Sequence, residues 1–221
     1  MSTATSGLDA QLQDYLVGNT LREHTALAAL RAKTDEMAYA VMRSSPEQMQ
    51  FLQLLLKLIE AREVLEVGCF VGYGTLAMAL ALPEDGRVTT IDVNEDWAAT
   101  GRDYWRQAGV ETKIEFRTGE AASVLDALLK QGDAGRFDFA YIDADKKGYP
   151  GYFAQCLELV RPGGLIALDN MLWQGAVADP SNQDRQTVIL RDLTHQLREN
   201  DAIDFSLVPI GDGVALARRR A

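Results

Sequence analysis

Two stretches of this 221-residue chain close on side chains suited to binding a hard cation. Phe139-Ala140-Tyr141-Ile142-Asp143-Ala144-Asp145-Lys146 ends an apolar run with two acids and a base. Leu165-Ile166-Ala167-Leu168-Asp169-Asn170 ends another with an acid and an amide. Short apolar runs of this kind read as buried strands. If the two strands are neighbours, their ends lie about 5 Å apart, and Asp143, Asp169 and Asn170 converge. All three offer oxygen and none offers sulfur or imidazole, which suits Mg²⁺ first, and Mn²⁺ or Ca²⁺, over zinc or copper. Three protein oxygens on an octahedral ion leave open positions for the vicinal hydroxyls of a catechol. Such a metal lowers the pKa of a bound phenol and fixes its oxygen. Lys146 is the candidate to accept the phenolic proton. The plain alternatives are that strand-end acids cap turns and that Lys146, beside Lys147, is solvated.

A glycine-rich turn supplies the second chemistry. Val64 to Val67 reads as a short buried strand, and Glu66-Val67-Gly68-Cys69-Phe70-Val71-Gly72-Tyr73-Gly74 follows from it. Glycines let the backbone turn tightly and approach a ligand closely. Gly68, Gly72 and Gly74 are spaced G-x-x-x-G-x-G, whereas a dinucleotide pyrophosphate loop needs G-x-G-x-x-G. The spacing is similar to the first motif of S-adenosylmethionine methyltransferases. Asp92, 24 residues beyond Gly68, can accept hydrogen bonds from ribose hydroxyls of either nucleoside. The competing readings are a plain strand-to-helix turn and a helix cap.

These groups need a scaffold that gathers strand ends. Leu8 to about Arg43 reads as a helical lead, and Ser45-Pro46-Glu47 as the capped start of a helix reaching about Ala61. Strands then alternate with helices: Val64–Val67, Arg87–Asp92, Lys113–Arg117, Phe137–Ile142 and Leu165–Asp169 are strands, separated by helices at Thr75–Leu82, Asp96–Ala108, Ala121–Lys130 and Tyr149–Val160. A helix at Thr187–Glu199 precedes strands Ile203–Pro209 and Gly213–Ala217, joined by a Gly211-Asp212-Gly213 turn. Such alternation implies an α/β fold: a Rossmann-like, doubly wound seven-stranded sheet, mostly parallel, with a C-terminal antiparallel hairpin and helices on both faces. Residues 1–221 are expected to form one domain, with 1–42 an N-terminal helical extension and 43–221 the core. Arg218-Arg219-Arg220 reads as a solvated tail, and Gln174 to Gln183 as a loop able to cover a substrate.

The bulk properties narrow the partners. Lys and Arg number 22 against 32 Asp and Glu, a formal net charge of −10. That balance repels phosphate backbones, so no nucleic-acid partner is expected. Two cysteines, Cys69 and Cys156, make no disulfide framework and fit a reduced cytoplasmic location. Met1 to Ala10 lack the basic start and apolar stretch of an export signal, and no run is long enough to cross a membrane. His24 and His195 fall away from the motifs and read as surface or packing residues.

From Met42 onward the chain resembles the cation-dependent O-methyltransferases that include caffeoyl-CoA O-methyltransferase and small relatives of catechol O-methyltransferase. The likeness rests on Pro46-Glu47 with Gln50-Phe51-Leu52, the Glu66–Gly74 loop, Leu82-Pro83-Glu84-Asp85-Gly86, Ile142-Asp143-Ala144-Asp145-Lys146 with Tyr149, Asp169-Asn170 with Trp173, and Pro209-Ile210-Gly211-Asp212-Gly213. It implies that Asp143, Asp169 and Asn170 hold the metal. It further implies that Met42, Ser44, Glu66, Gly68, Cys69, Gly74, Asp92, Ala121, Asp143 and Asp145 line an S-adenosylmethionine site, with Glu66 and Asp145 on the methionine amino group. Trp173 would wall a phenolic substrate, and a homodimer is the expected assembly. The chain departs from the family at Gly74, where serine is frequent, and at Met49, where glycine is common; Met49 is expected to be ordinary packing. The lead before Met42 matches poorly. Two alternatives stand beside this reading: an NAD-linked Rossmann oxidoreductase, and an S-adenosylmethionine-binding protein without catalysis. The glycine spacing and terminal hairpin argue against the first, the intact Asp143, Lys146, Asp169 and Asn170 against the second.

Overall fold

The computed structural model describes residues 5–221, so the part of the export-signal expectation that concerns 1–4 lies outside the described residues. Seven strands form one sheet: β1 (Glu63–Val67), β2 (Arg87–Asp92), β3 (Ile114–Thr118), β4 (Phe137–Ile142), β5 (Val160–Leu168), β6 (Ile203–Val208) and β7 (Val214–Arg219), in the order β3-β2-β1-β4-β5-β7-β6. The first five pair in parallel, and β7 runs antiparallel to both β5 and β6. The expected sheet and hairpin are therefore present.

The period-two alternation of the strands sorts side chains onto two faces. Val64, Val88, Phe139, Tyr141 and Ala167 pack under α2 (Thr25–Asp35), α3 (Pro46–Leu58), α4 (Tyr73–Ala81) and α5 (Glu95–Gln107). Leu65, Val67, Ile91, Ala140, Ile142 and Ile166 pack under α6 (Ala121–Lys130), α7 (Tyr149–Leu159) and α8 (Arg185–Glu199). Polar residues start the helices where the pattern requires. Ser45 accepts from Gln48 N with Pro46 in the first turn, Asn94 accepts from Asp96 N and Trp97 N, and Asp184 accepts from Gln186 N and Thr187 N. Such caps are worth about 1 kcal/mol each.

The lead is not one helix. It is α1 (Ala10–Thr20), a break at Leu21, α2, and a 3₁₀ turn at Ala40–Met42. Two forces end α1. Gly18, Asn19 and Thr20 are weak helix formers, and Gln50 of α3 receives Arg22 N and donates to Thr20 O, holding the chain extended there. His24, read as surface or packing, caps α2 by accepting from Ala26 N. The C-terminal arginines are not a free tail. Arg218 and Arg219 belong to β7, Arg218 and Arg220 pair with Asp204, and Arg219 donates to Glu158 O and Val160 O.

Strand order reverses at β1 and β4: α4 carries the chain from β1 to β2 on one side, while β4 lies on the other. The carboxyl ends of strands flanking such a switch diverge and leave a crevice. Among the described residues no helix is long and apolar enough to cross a membrane.

Candidate active site

Above β1 and β4 lies a cavity of about 400 Å³. Met42, Ser44, Glu66, Gly68, Cys69, Gly74, Asp92, Ala121, Asp143, Asp145, Lys146 and Trp173 all line it, together with Phe70, Val93, Trp97, Tyr141 and Tyr152. Every residue expected at the cofactor site thus faces one space. Asp169 and Asn170 do not reach its wall; they lie beneath it, 2% and 4% exposed.

The floor is built by the β1 turn. Gly68 has φ +98, and a Cβ there would lie 2.0 Å from Asp143 O, so the turn can pass over β4 only without a side chain. Asp92 binds the turn from the next strand: one carboxylate oxygen accepts from Cys69 N and Phe70 N, the other from Asn94 N. Cys69 offers its backbone to this anchor, while its thiol sits beside Thr75 Oγ1 and is held protonated by burial. Gly74, in the first turn of α4, packs against Glu66: a Cβ there would lie 2.7 Å from Glu66 Oε1. Met49 is fully buried nearby and belongs to the core, as expected.

Glu66 is 1% exposed and accepts from Thr75 Oγ1 and Thr90 Oγ1. Burial pushes its carboxyl up to about 8; the two threonine hydroxyls oppose the shift, and Asp143 and Asp92 add to it. Asp145 accepts from Tyr152 Oη at 2.6 Å and from Gly148 N at 2.9 Å. Glu66 and Asp145 share the cavity wall with the apolar and aromatic side chains of Phe70, Val93 and Trp97.

Beside the floor, β4 and β5 end in register. Ile142 faces Leu168, Asp169 N donates to Ile142 O at 3.0 Å, and Asp143 N donates to Val67 O at 2.8 Å. Residues 143 and 169 therefore sit side by side, as the two motifs required. Tyr149 pins this junction from below, sharing its hydroxyl proton between Ile142 O and Asp169 O, each 3.1 Å away. Asn170 takes the left-handed conformation, φ 59, which asparagine tolerates better than most residues. Its Oδ1 is buried and has no hydrogen-bond partner among the described residues. Asp143 is raised to about 7, by burial first and the Asp169 charge second, with Lys146 pulling the other way.

An orphaned amide oxygen beside two mutually repelling carboxylates is the environment a hard cation relieves. The donor set of two carboxylates and one amide fits such an ion. Among the described residues no three His, Cys, Asp or Glu side chains cluster as a metal site, so Asn170 is needed to complete one.

Lys146 is buried, 5% exposed, rather than solvated. Its Nζ lies 3.4 Å from Asp143 Oδ1, donates to Tyr149 Oη, and stands 5.9 Å from the Trp173 ring centroid. A second cavity is lined by Trp173, Gln174, Asn182, Asp184 and Thr187, so Trp173 borders both. The loop expected to cover a substrate is tied down. Asp212 accepts from Gln174 N, and Arg191 donates to Val177 O, Asp179 O and Asn182 O.

Several of these residues escape a reading of the sequence. Thr90 and Tyr141 carry a faint signal, since each is registered beside Glu66 on the same sheet face. Tyr149 is three residues from Lys146. Arg191 has no local signal at all, and Asp212 was legible only as part of a turn motif.

Comparison with known proteins gives the family. The chain is 42% identical over 209 residues to catechol O-methyltransferase domain-containing protein 1 of Mus musculus, covering 95% of this chain and 80% of that one. It is 39% identical over 216 residues to caffeoyl-CoA O-methyltransferase of Eucalyptus gunnii, covering 94% and 87%. The solved O-methyltransferase TomG from Streptomyces achromogenes, involved in tomaymycin synthesis and in complex with S-adenosylmethionine, superposes with a TM-score of 0.85 at 30% identity, covering 96% of each chain. The family model of O-methyltransferases matches residues 18–220, so the likeness begins well before Met42 and takes in α2, contrary to the poor match expected of the lead. With that match across nearly the whole chain, this protein belongs to the S-adenosylmethionine-dependent O-methyltransferase family, not to the NAD-linked oxidoreductases.

Proposed function

We propose that the protein transfers a methyl group from S-adenosylmethionine to one hydroxyl of a vicinal-dihydroxy aromatic, with a divalent cation, Mg²⁺ first, held by Asp143, Asp169 and Asn170. The observation that carries the metal is the orphaned Asn170 Oδ1 beside the Asp143–Asp169 pair. When bound, the cation supplies Lewis acidity to a phenol oxygen, and the sulfonium cofactor supplies the methyl group.

The chain's own residues do the rest. Glu66 and Asp145 offer the methionine ammonium two carboxyl groups, and the ammonium favours the ionised form of buried Glu66. Asp92, with spare acceptor capacity beyond its backbone partners, receives ribose hydroxyls. Phe70 and Trp97, 5.3 Å apart and edge to face, wall the adenine. Trp173 orients the aromatic substrate, and Lys146 takes the phenolic proton as the oxygen–carbon bond forms and the sulfur–carbon bond breaks. Its burial excludes bulk water from that proton transfer.

A homodimer is part of this reading. Leu54 and Leu58, one turn apart on α3 and 55% and 69% exposed, supply apolar surface for it. Size-exclusion chromatography at twice the monomer mass is the expected result. So is a cytoplasmic location, consistent with two unpaired, buried cysteines.

The central experiment mixes the protein with S-adenosylmethionine and a panel of catechols, with Mg²⁺ or with a chelator. Methylation of vicinal diols that stops on chelation and returns with Mg²⁺ is expected. Turnover that survives complete metal removal overturns the metal assignment, and an exclusive preference for isolated hydroxyls overturns the catechol.

A further inference from the structure

The geometry points to Tyr141 as the residue that positions Asp169 for the cation, an inference that rests on the metal reading above. Tyr141 lies on β4 two residues before Asp143, is 1% exposed, and projects toward α3. Its hydroxyl donates to Asp169 Oδ2 at 2.7 Å. A carboxylate cannot return a proton, so the single phenolic hydrogen is committed to that bond. The same oxygen receives Gln48 Nε2 at 3.0 Å and lies 3.1 Å from Ser44 Oγ. With its proton spent, Tyr141 can only accept from Ser44, and two donors fill its two lone pairs. Every hydrogen-bonding capacity of this buried phenol is used, which fixes its position.

Asp169 inherits that rigidity. Its Oδ1 accepts from Asn170 N at 2.6 Å while Tyr141 holds Oδ2, so the carboxylate plane is set from both sides. Each oxygen retains acceptor capacity. Asp143 differs: its side chain is held by Lys146 at 3.4 Å. One cation ligand is locked by the fold and the other is adjustable. Outer-shell partners that orient a ligating carboxylate are typically worth roughly 10–100-fold in metal affinity.

The test is calorimetric titration of Mn²⁺ into cofactor-free protein, together with the Mn²⁺ electron paramagnetic resonance signal. Tyr141→Phe keeps the ring and removes the hydroxyl; its Mn²⁺ dissociation constant should rise by roughly 10–100-fold. Because this change leaves Gln48 facing an apolar ring, a second variant, Tyr141→Phe with Gln48→Leu, replaces both partners and relieves the unsatisfied donor. It should show the same loss. If either folded variant binds Mn²⁺ within twofold of the parent, Tyr141 does not position the ligand. If the parent protein itself binds no Mn²⁺, the metal reading fails instead, and the two failures are distinct.

Discussion

Glu66 couples the acid–base state of the cofactor cavity to the stability of the fold. Its carboxyl titrates at about 8 in the folded protein against an ordinary value of 4.5. Between those values the folded chain holds a proton that the unfolded chain has shed, so stability falls as pH rises through this window. Roughly three and a half pH units at about 1.4 kcal/mol each set a ceiling of about 5 kcal/mol. Glu66→Gln keeps the shape and stays neutral, so its stability should not follow this slope. Urea unfolding of both proteins between pH 5 and 8, without cofactor, isolates the effect, because titrations of groups remote from Glu66 cancel in the difference. The variant should match the parent near pH 5 and exceed it by about 3–4 kcal/mol at pH 8. Added S-adenosylmethionine should narrow the gap, since its ammonium favours ionised Glu66. Stability curves that stay parallel within about 0.5 kcal/mol across this range would refute the reasoning, for they would mean that Glu66 is already ionised despite its burial.

Lys146→Met should lower kcat by roughly 10²–10⁴-fold and flatten the acid limb of the pH–rate profile; an unchanged limb assigns the proton to another acceptor. Gly74→Ser places a Cβ 2.7 Å from Glu66 Oε1, so Glu66 must shift. Weaker cofactor binding by calorimetry and a loss of about 1–3 kcal/mol in urea unfolding are expected, and equal affinity and stability would show that Glu66 has room to move. Arg191→Ala removes the donor shared by Val177, Asp179 and Asn182. Hydrogen exchange across residues 174–183 should quicken and the KM for the phenol should rise; exchange at the parent rate would mean that Asp212 alone holds the loop.

What local chemistry dictates, the sequence carried. Ser45-Pro46 starts α3, the Gly68–Gly74 turn clears a path for a ligand, and the acids at 143 and 169 end two apolar runs. These signals depend on neighbours a few residues away, and the fold and the family resemblance followed from them. The lead misled because its helical period says nothing of Gln50, whose side chain pins the break from another helix. The arginine tail misled because a charged run looks solvated until Asp204 and the Glu158 and Val160 carbonyls are brought beside it. Tertiary structure alone decided that Lys146 is buried and that Asp169 is held by Tyr141. It also decided that Tyr141 is held in turn by Gln48, 93 residues away. Those contacts are set by the order and register of strands, β1 beside β4 and β4 beside β5. Hydrophobic period tells each strand which face to bury but not which strand to lie beside. Asp143, Asp169 and Asn170 were legible as residues able to bind a cation; that 143 and 169 lie side by side, and that the Asn170 amide oxygen is buried without a partner among the described residues, are properties of the folded sheet.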